Sequence, residues 1–223
     1  MSKRVSHSLL DPYMVPLVKP LYRALPIPRR FPPEGIIAVG HLLAIAAAFG
    51  FALAADYWWG GVLICIGVLG NHLADMVDGT HARATEQCRN GGELLDHFTD
   101  PLSFSYWFVG LGIGCGHWWL GTIGVLAIYA TAVLTNIKAK MVGEFTLARF
   151  GPTEFKVLLA LLGMALAILA AAHGETATLV LLIAAIGLDA LLVLQLLVNL
   201  ATSVVEVNRS GDAPDTSEWE VTK

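Results

Sequence analysis

Long apolar segments dominate this sequence and limit what the chain can fold into. Each is long enough to cross the hydrocarbon core of a bilayer as an α-helix, which takes about 20 residues. They cover residues 35–55, 58–83, 92–114, 117–137, 153–172 and 176–205. Hydrophobic residues make up 56% of the chain and charged residues only 14%. We therefore expect an all-α integral membrane protein with six transmembrane helices.

The ends of the chain differ in composition from these segments. Residues 1–34 mix basic and apolar side chains, which is typical of an amphipathic segment lying in the membrane interface. They are too polar and proline-rich for a cleavable signal peptide. Pro12, Pro16 and Pro20 predict only short helical pieces there, with a disordered basic tail as the alternative. Residues 35–205 then form one membrane domain, and residues 206–223 a disordered polar tail.

The distribution of basic residues predicts the orientation. With six spans, all 14 Lys and Arg lie on the side of the two termini or at the adjoining helix ends. The loops on the opposite side, near Asp56, Gly116 and residues 173–175, contain none. Basic residues prefer the cytoplasmic side, so both termini should be cytoplasmic. A net charge of −4 gives no reason to expect a nucleic-acid partner.

Four aspartates interrupt the apolar pattern in the second and third segments. Asp75 and Asp78 are three residues apart, and Asp96 and Asp100 are four apart. On a helix, both spacings place the two side chains on one face. Acids in membrane segments are costly and indicate a functional site. Two facing helices would bring four carboxylates into one volume, where divalent cations with a preference for oxygen ligands can balance the charge.

These aspartates belong to a longer pattern, D-x2-D-G-x2-A-R-x8-G-x3-D-x3-D. Its fixed positions are Asp75, Asp78, Gly79, Ala82, Arg83, Gly92, Asp96 and Asp100. The pattern resembles the signature of the CDP-alcohol phosphotransferase family at every fixed position. The resemblance implies a six-helix membrane enzyme that moves a substituted phosphate from a CDP-linked alcohol to an acceptor hydroxyl and releases CMP. It further implies phospholipid biosynthesis, a homodimer, and a prokaryotic inner membrane or the endoplasmic reticulum.

The resemblance also implies a role for each acid. Asp75, Asp78, Asp96 and Asp100 would bind two divalent cations, Mg²⁺ or Mn²⁺, that hold the diphosphate of the CDP-alcohol. Asp100 would in addition be the catalytic base that receives the proton of the acceptor hydroxyl. The acids lie at the cytoplasmic ends of their helices, so the active site should be cytoplasmic.

The resemblance implies that the remaining fixed positions, together with Asp78, bind the nucleotide. Gly79 and Gly92 remove side chains near the acids, and Ala82 is small, so a nucleotide can approach the backbone beside Asp78. Arg83 offers a planar, permanently charged fork to a phosphate.

Four polar residues outside the pattern keep alternative roles. His72 precedes Asp75 by three residues and either supports the site or bonds to a neighbouring helix. Asp189 lies near the middle of the last segment, where a functional role, an interhelical hydrogen bond and a dimer contact are all open. Glu154 and Lys156 begin the fifth segment and either line the substrate cleft or lie among lipid headgroups.

Two short stretches bear on the substrates. Residues 92–97, G-E-L-L-D-H, resemble the G-E-L-F-D-H stretch of CDP-choline and CDP-ethanolamine phosphotransferases, and residues 151–154 share G-P-T-E with some of them. They favour transfer of an aminoalcohol phosphate to diacylglycerol. The short chain, however, looks like the minimal prokaryotic form of the family. There the alternative is CDP-diacylglycerol as donor, with glycerol phosphate, inositol phosphate or serine as acceptor.

Two other classes of membrane protein use intramembrane acids. A membrane prenyltransferase binds a metal–diphosphate through aspartate-rich motifs, but these stand in two distant parts of the chain. A cation transporter places acids along an ion pathway near the bilayer midplane. Here all four acids fall between Asp75 and Asp100, close to one membrane face. This arrangement favours the transferase over both alternatives.

Overall fold

The computed structural model describes residues 3–147, 150–172, 174–213 and 216. This part of the chain forms seven α-helices and two short strands. In chain order they are β1 (Lys3–Ser6), α1 (Asp11–Ala24), α2 (Pro33–Leu53), α3 (Trp58–Thr85), α4 (Asn90–Gly114), α5 (Trp118–Val142), β2 (Glu144–Leu147), α6 (Pro152–Ala172) and α7 (Gly174–Ser210). The predicted helical architecture is confirmed, with a small sheet added to it.

Five helices of the described chain are long and apolar enough to cross a membrane, namely α2, α3, α5, α6 and α7. Helix α4 corresponds to the third predicted span but is not among the five. It contains 25 residues, and its first half carries Glu93, Asp96 and Asp100. The predicted count of six spans is therefore not confirmed.

Small residues let the helices that carry the acids pack closely against their neighbours. A Cβ atom added to Gly61 of α3 would lie 2.4 Å from the Gly163 oxygen and the Ala167 nitrogen of α6. A Cβ added to Gly110 of α4 would lie 2.2 Å from the Ala48 oxygen of α2. Such backbone contact is typical of helices packed within a bilayer. It fixes α3 against α6 and α4 against α2.

The second half of α4 lies in the core of the bundle. Trp107 and Phe108 are buried, and the indole nitrogen of Trp107 donates a hydrogen bond to the Ala44 oxygen of α2 at 3.0 Å. The ring of Phe104 meets the rings of Trp107 and Phe155 edge to face. These contacts hold the acidic first half of α4 at one end of the bundle.

The N-terminal segment differs from the prediction of short helical pieces. Helix α1 is continuous over Asp11–Ala24 although it contains Pro16 and Pro20. These two prolines and Pro12 are spaced by four residues and are all exposed. Pro16 and Pro20 have no N–H group to donate to the carbonyl groups four residues earlier. Because these carbonyl groups lie on the exposed face of the helix, other donors can reach them. Strand β1 precedes α1 and pairs in parallel with β2, with Lys3 opposite Glu144.

Two helices extend beyond their predicted ends. Helix α5 continues past the predicted end at residue 137 through Lys138 and Lys140, and it stops where Gly143 takes a positive φ of 75°. Lys138 forms an ion pair with Glu206 of α7 at 2.6 Å, which supports this extension. Helix α7 runs to Ser210, into the segment predicted to be a disordered tail. Residues 214, 215 and 217–223 of that tail lie outside the described residues.

Candidate active site

The turn between α3 and α4 places the acids at one end of the bundle. Glu86 ends α3 in the left-handed conformation, with φ of 62°, and α4 begins at Asn90. The end of α3, which carries Asp75 and Asp78, and the start of α4, which carries Asp96 and Asp100, are thereby brought to the same level.

Three of the four predicted metal ligands converge. Asp75, Asp96 and Asp100 each offer one carboxylate oxygen, and these three atoms all lie within 4.8 Å of one another. Divalent cations that prefer oxygen bind their ligands at about 2.0–2.6 Å. Small side-chain adjustments would therefore let one ion contact all three carboxylates. The donor set, which consists of oxygen only, fits Mg²⁺ or Mn²⁺ better than zinc.

The fourth acid, Asp78, lies one turn further along α3. Its side chain is buried, and one of its oxygens accepts a hydrogen bond from the backbone N–H of Gly79. Asp78 lines a small cavity beside α2 together with the three converging acids. The structure thus places all four predicted ligands around one cavity, although Asp78 does not join the tight group of three.

A buried lysine contacts this group of acids. The Nζ atom of Lys156 donates a hydrogen bond to Oδ2 of Asp75 at 2.6 Å and lies 3.8 Å from Oδ1 of Asp100. Its side chain has no exposed surface, and Nζ lies 5.7 Å from the centre of the Phe104 ring. The sequence left two locations open for Lys156, the wall of the substrate cleft and the lipid headgroups. Its burial excludes the headgroups.

A cleft of about 820 Å³ opens beside the acids. Asp75, Asp96 and Asp100 line one part of this cleft, its head, and β1, β2 and helices α4 to α7 supply the rest of its walls. Much of that wall is apolar and includes Ile128 of α5 and Leu192 of α7. The cleft can therefore hold a molecule with a charged group at the acids and an apolar body against α5 and α7.

The two glycines of the pattern do not face packed neighbours. A Cβ atom on Gly79 would approach only the guanidinium of Arg83, at 3.3 Å, and one on Gly92 would lie 3.6 Å from an oxygen of Glu34. Packing within the described chain therefore does not require a glycine at either position, in contrast to Gly61. The remaining explanation for a glycine at both positions is that a ligand approaches the backbone closely there.

The other two pattern residues lie beside Gly79. Arg83 is exposed, and its Nη2 atom lies 3.4 Å from Oγ1 of Thr80. Ala82 precedes it and is half-buried. The exposed guanidinium of Arg83 is thus available to a phosphate group.

Glu154 holds the N-terminal segment against α6. Its carboxylate accepts hydrogen bonds from the backbone N–H groups of Gly151 and Leu10, at 2.8 and 2.9 Å, and from the hydroxyl of Ser8 at 2.5 Å. The bond from Gly151 is that of a helix capping box. Glu154 is therefore buried and fully engaged rather than free among headgroups.

His72 and Asp189 are buried, and within the described residues neither has a hydrogen-bond partner for its side chain. The structure does not connect Asp189 to the acids.

A polar network next to the acids, formed by residues of α2, α3 and α4, was not predicted from the sequence. Asn71 of α3 donates a hydrogen bond to the Gly40 oxygen at 3.1 Å. The hydroxyl of Ser103 lies 3.3 Å from Nδ1 of His41, whose other ring nitrogen lies 3.2 Å from the Tyr106 hydroxyl. Asn71, His41 and Ser103 line the same small cavity as the acids. Each is a polar residue within an apolar segment, and spacing alone does not connect the three.

Comparison with known proteins agrees with the signature. A family model described as CDP-alcohol phosphatidyltransferase matches residues 33–205, well over half of the chain. The chain is 29% identical over 116 residues to cholinephosphotransferase 1 of Bos taurus, covering 42% of this chain and 28% of that protein. It is 28% identical over 116 residues to cholinephosphotransferase 1 of Rattus norvegicus, covering 42% of this chain and 29% of that protein.

The aligned part thus spans less than a third of the length of these relatives. The family model, in contrast, matches most of this chain. The matched residues include the converging acids, the two glycines and most of the helices around the cleft. The chain therefore belongs to the CDP-alcohol phosphatidyltransferase family.

Proposed function

We propose that this protein transfers a substituted phosphate from a CDP-linked alcohol to an acceptor hydroxyl, with release of CMP and with dependence on divalent cations. The convergence of Asp75, Asp96 and Asp100 in the wall of a large cleft carries the proposal. The cation-transporter alternative required acids near the middle of the membrane. The position of the acids at one end of the bundle argues against it.

The reaction exchanges one phosphorus–oxygen bond for another. The acceptor oxygen bonds to the β-phosphorus of the donor, and the bond from that phosphorus to the oxygen that leaves with CMP breaks. Two divalent cations, held by Asp75, Asp78, Asp96 and Asp100, would supply charge neutralisation for the diphosphate. Asp100 lines the cleft, and its side chain is 36% exposed. It is the proposed base for the proton of the acceptor hydroxyl.

The nucleotide part of the donor is assigned to the turn region of the pattern. Gly79 and Gly92 leave room for close approach to the backbone, and Ala82 adds only a methyl group. Arg83 is exposed and can form two parallel hydrogen bonds with a phosphate. The four residues and Asp78 together form the proposed nucleotide-binding part of the site.

The membrane arrangement is part of the same proposal. Helix α4 would be the sixth span, since Trp107 and Phe108 in its second half are buried in the bundle. The distribution of basic residues supports a cytoplasmic location for both termini and the acids. The resemblance to the family adds a homodimer in a prokaryotic inner membrane or in the endoplasmic reticulum.

The preferred substrates are CDP-choline or CDP-ethanolamine, with diacylglycerol as acceptor. The similarity to proteins named cholinephosphotransferase 1 and the G-E-L-L-D-H stretch support this choice. The apolar wall of the cleft suits a lipid with acyl chains. The second candidate is CDP-diacylglycerol with glycerol phosphate, inositol phosphate or serine, which the small size of the chain favours.

A donor comparison on purified protein tests this proposal. CMP release is measured with Mg²⁺ or Mn²⁺, once with CDP-choline or CDP-ethanolamine plus diacylglycerol and once with CDP-diacylglycerol plus the polar acceptors. We expect release with the first set. Release with the second set alone would keep the reaction and overturn the substrate choice. Folded protein that releases no CMP with either set would contradict the proposed function.

A further inference from the structure

The position of Lys156 is set by helix packing. Lys156 lies in the first turns of α6, and the contact of Gly61 with Gly163 and Ala167 holds α6 directly against α3. Its side chain has no exposed surface and ends between Asp75 of α3 and Asp100 of α4. The ammonium group therefore joins three helices at the head of the cleft.

This ammonium group uses the same carboxylates as the proposed cations. Oδ2 of Asp75 accepts its hydrogen bond at 2.6 Å, and Asp75 is also one of the three converging acids. A buried lysine is costly unless an acid partner and further contacts compensate it, and the Phe104 ring provides one such contact. Because like charges repel, an ammonium group at this position opposes the arrival of a divalent cation at Asp75 and Asp100.

We propose that Lys156 is a positioning residue that fixes Asp75 and Asp100 and weakens the affinity of the acids for divalent cations. A cation gains full access to Asp75 only when the ammonium group gives up its hydrogen bond to that residue. This inference rests on the proposed function in one respect: the acids must bind divalent cations. It goes beyond that function because it assigns the strength of cation binding to a residue outside the family signature.

Direct binding of Mn²⁺ to the purified protein, without nucleotide, tests the inference. Wild type and Lys156→Met are titrated by calorimetry or by electron paramagnetic resonance. We expect the Kd for Mn²⁺ to fall at least about fivefold in Lys156→Met, the lower end of typical coupling between two binding events. The matched control is Lys140→Met, which removes the same charge from an exposed position on α5. There we expect less than a twofold change.

Two further variants separate charge from folding. Lys156→Arg keeps the charge, so its affinity for Mn²⁺ should not exceed that of wild type. If Lys156→Met does not yield folded protein, Lys156→Gln takes its place with the same expectation. In either neutral variant, saturating Mn²⁺ should raise Tm by more than it does in wild type, because tighter ligand binding stabilises the folded state more.

The possible failures are distinguishable. Mn²⁺ binding to wild type with no gain in the neutral variants, or with weaker binding, would overturn the role of Lys156 alone. The same fivefold gain in Lys156→Arg would also overturn it, because the charge would then not be the cause. A folded wild-type protein that binds no Mn²⁺ would instead refute the metal dependence in the proposed function.

Discussion

At the scale of single residues, the charge balance at the head of the cleft is the central feature. Asp75, Asp96 and Asp100 converge, and Lys156 supplies a fixed positive charge within hydrogen-bond distance of one of them. With Asp78 included, the site has four carboxylates, and one ammonium group cannot balance their charge. The remaining negative charge gives the site its expected affinity for divalent cations.

Replacing one converging acid should disable the site without unfolding the protein. In Asp96→Asn, we expect Mn²⁺ affinity to fall at least about tenfold and CMP release about 10²–10³-fold, because an amide carries no charge to hold the ion. Asp56→Asn is the control, since Asp56 is an exposed acid in the loop between α2 and α3. Equal Mn²⁺ affinity in Asp96→Asn and wild type would remove Asp96 from the ligand set.

Gly79 should be needed for substrate binding and not for folding. In Gly79→Ala, we expect the KM for the CDP-alcohol to rise at least about tenfold, which corresponds to about 1.4 kcal/mol. The melting temperature should stay the same or rise slightly, because Ala favours a helix and the new methyl group meets only the Arg83 side chain.

Gly61→Ala is the matched control and should show the opposite pattern. Its new methyl group would lie 2.4 Å from backbone atoms of α6, so we expect a loss of about 1–3 kcal/mol in stability. A stable Gly61→Ala protein, or an unchanged KM in Gly79→Ala, would contradict the distinction between packing glycines and binding glycines.

The acids could be predicted from sequence because local spacing on two helices already places them on one face. The partners that come from other helices could not be predicted in the same way. Lys156 contacts Asp75 only because α6 packs on α3, and the hydrogen bond between His41 and Ser103 depends on how α2 meets α4. Sequence spacing contains no information on such contacts.

At the scale of elements, two close helix contacts support the site. Helix α3 packs on α6 through Gly61, and α4 packs on α2 through Gly110. These contacts fix both helices that carry the acids and the helix that carries the lysine. The N-terminal segment adds a third support, since Ser8 and Leu10 are bonded to Glu154 at the start of α6.

Loss of the Ser8 hydroxyl should loosen the N-terminal segment. This hydroxyl donates to Glu154 and accepts from the backbone N–H groups of Leu10 and Asp11. In Ser8→Ala, we expect the amide hydrogens of residues 10 and 11 to exchange about fivefold faster, the equivalent of about 1 kcal/mol for one hydrogen bond. Ser210→Ala, which removes a hydroxyl at the end of α7, should leave that exchange unchanged. Unaltered exchange in Ser8→Ala would show that other contacts hold the segment.

The apolar segments predicted the positions of six helices because each is long and predominantly apolar. The N-terminal segment was harder to predict. Proline has a strong intrinsic tendency to break helices, but here all three prolines of α1 share the exposed face. The pairing of β1 with β2 joins residues at opposite ends of a long chain segment, and neither strand has an alternating pattern long enough to reveal it.

At the scale of the whole molecule, the orientation in the membrane can be tested with a natural cysteine. Cys88 is exposed in the turn between α3 and α4, whereas Cys115 is buried and Cys65 is partly buried. If the basic side is cytoplasmic, a membrane-impermeant maleimide should label Cys88 in inside-out vesicles and not in intact cells. Cys88→Ser is the control for labelling at the other two cysteines. Labelling of Cys88 in intact cells would reverse the proposed orientation.

The measurement that tests the central claim most directly is the dependence of CMP release on divalent cations. Purified protein is supplied with CDP-choline and diacylglycerol, or with whichever donor and acceptor pair proves active, then stripped with EDTA and reloaded with Mn²⁺ or Mg²⁺. We expect CMP release to stop on chelation and to return on reloading, because the acids at the head of the cleft act through the cations they bind. Undiminished CMP release in excess EDTA would contradict the account.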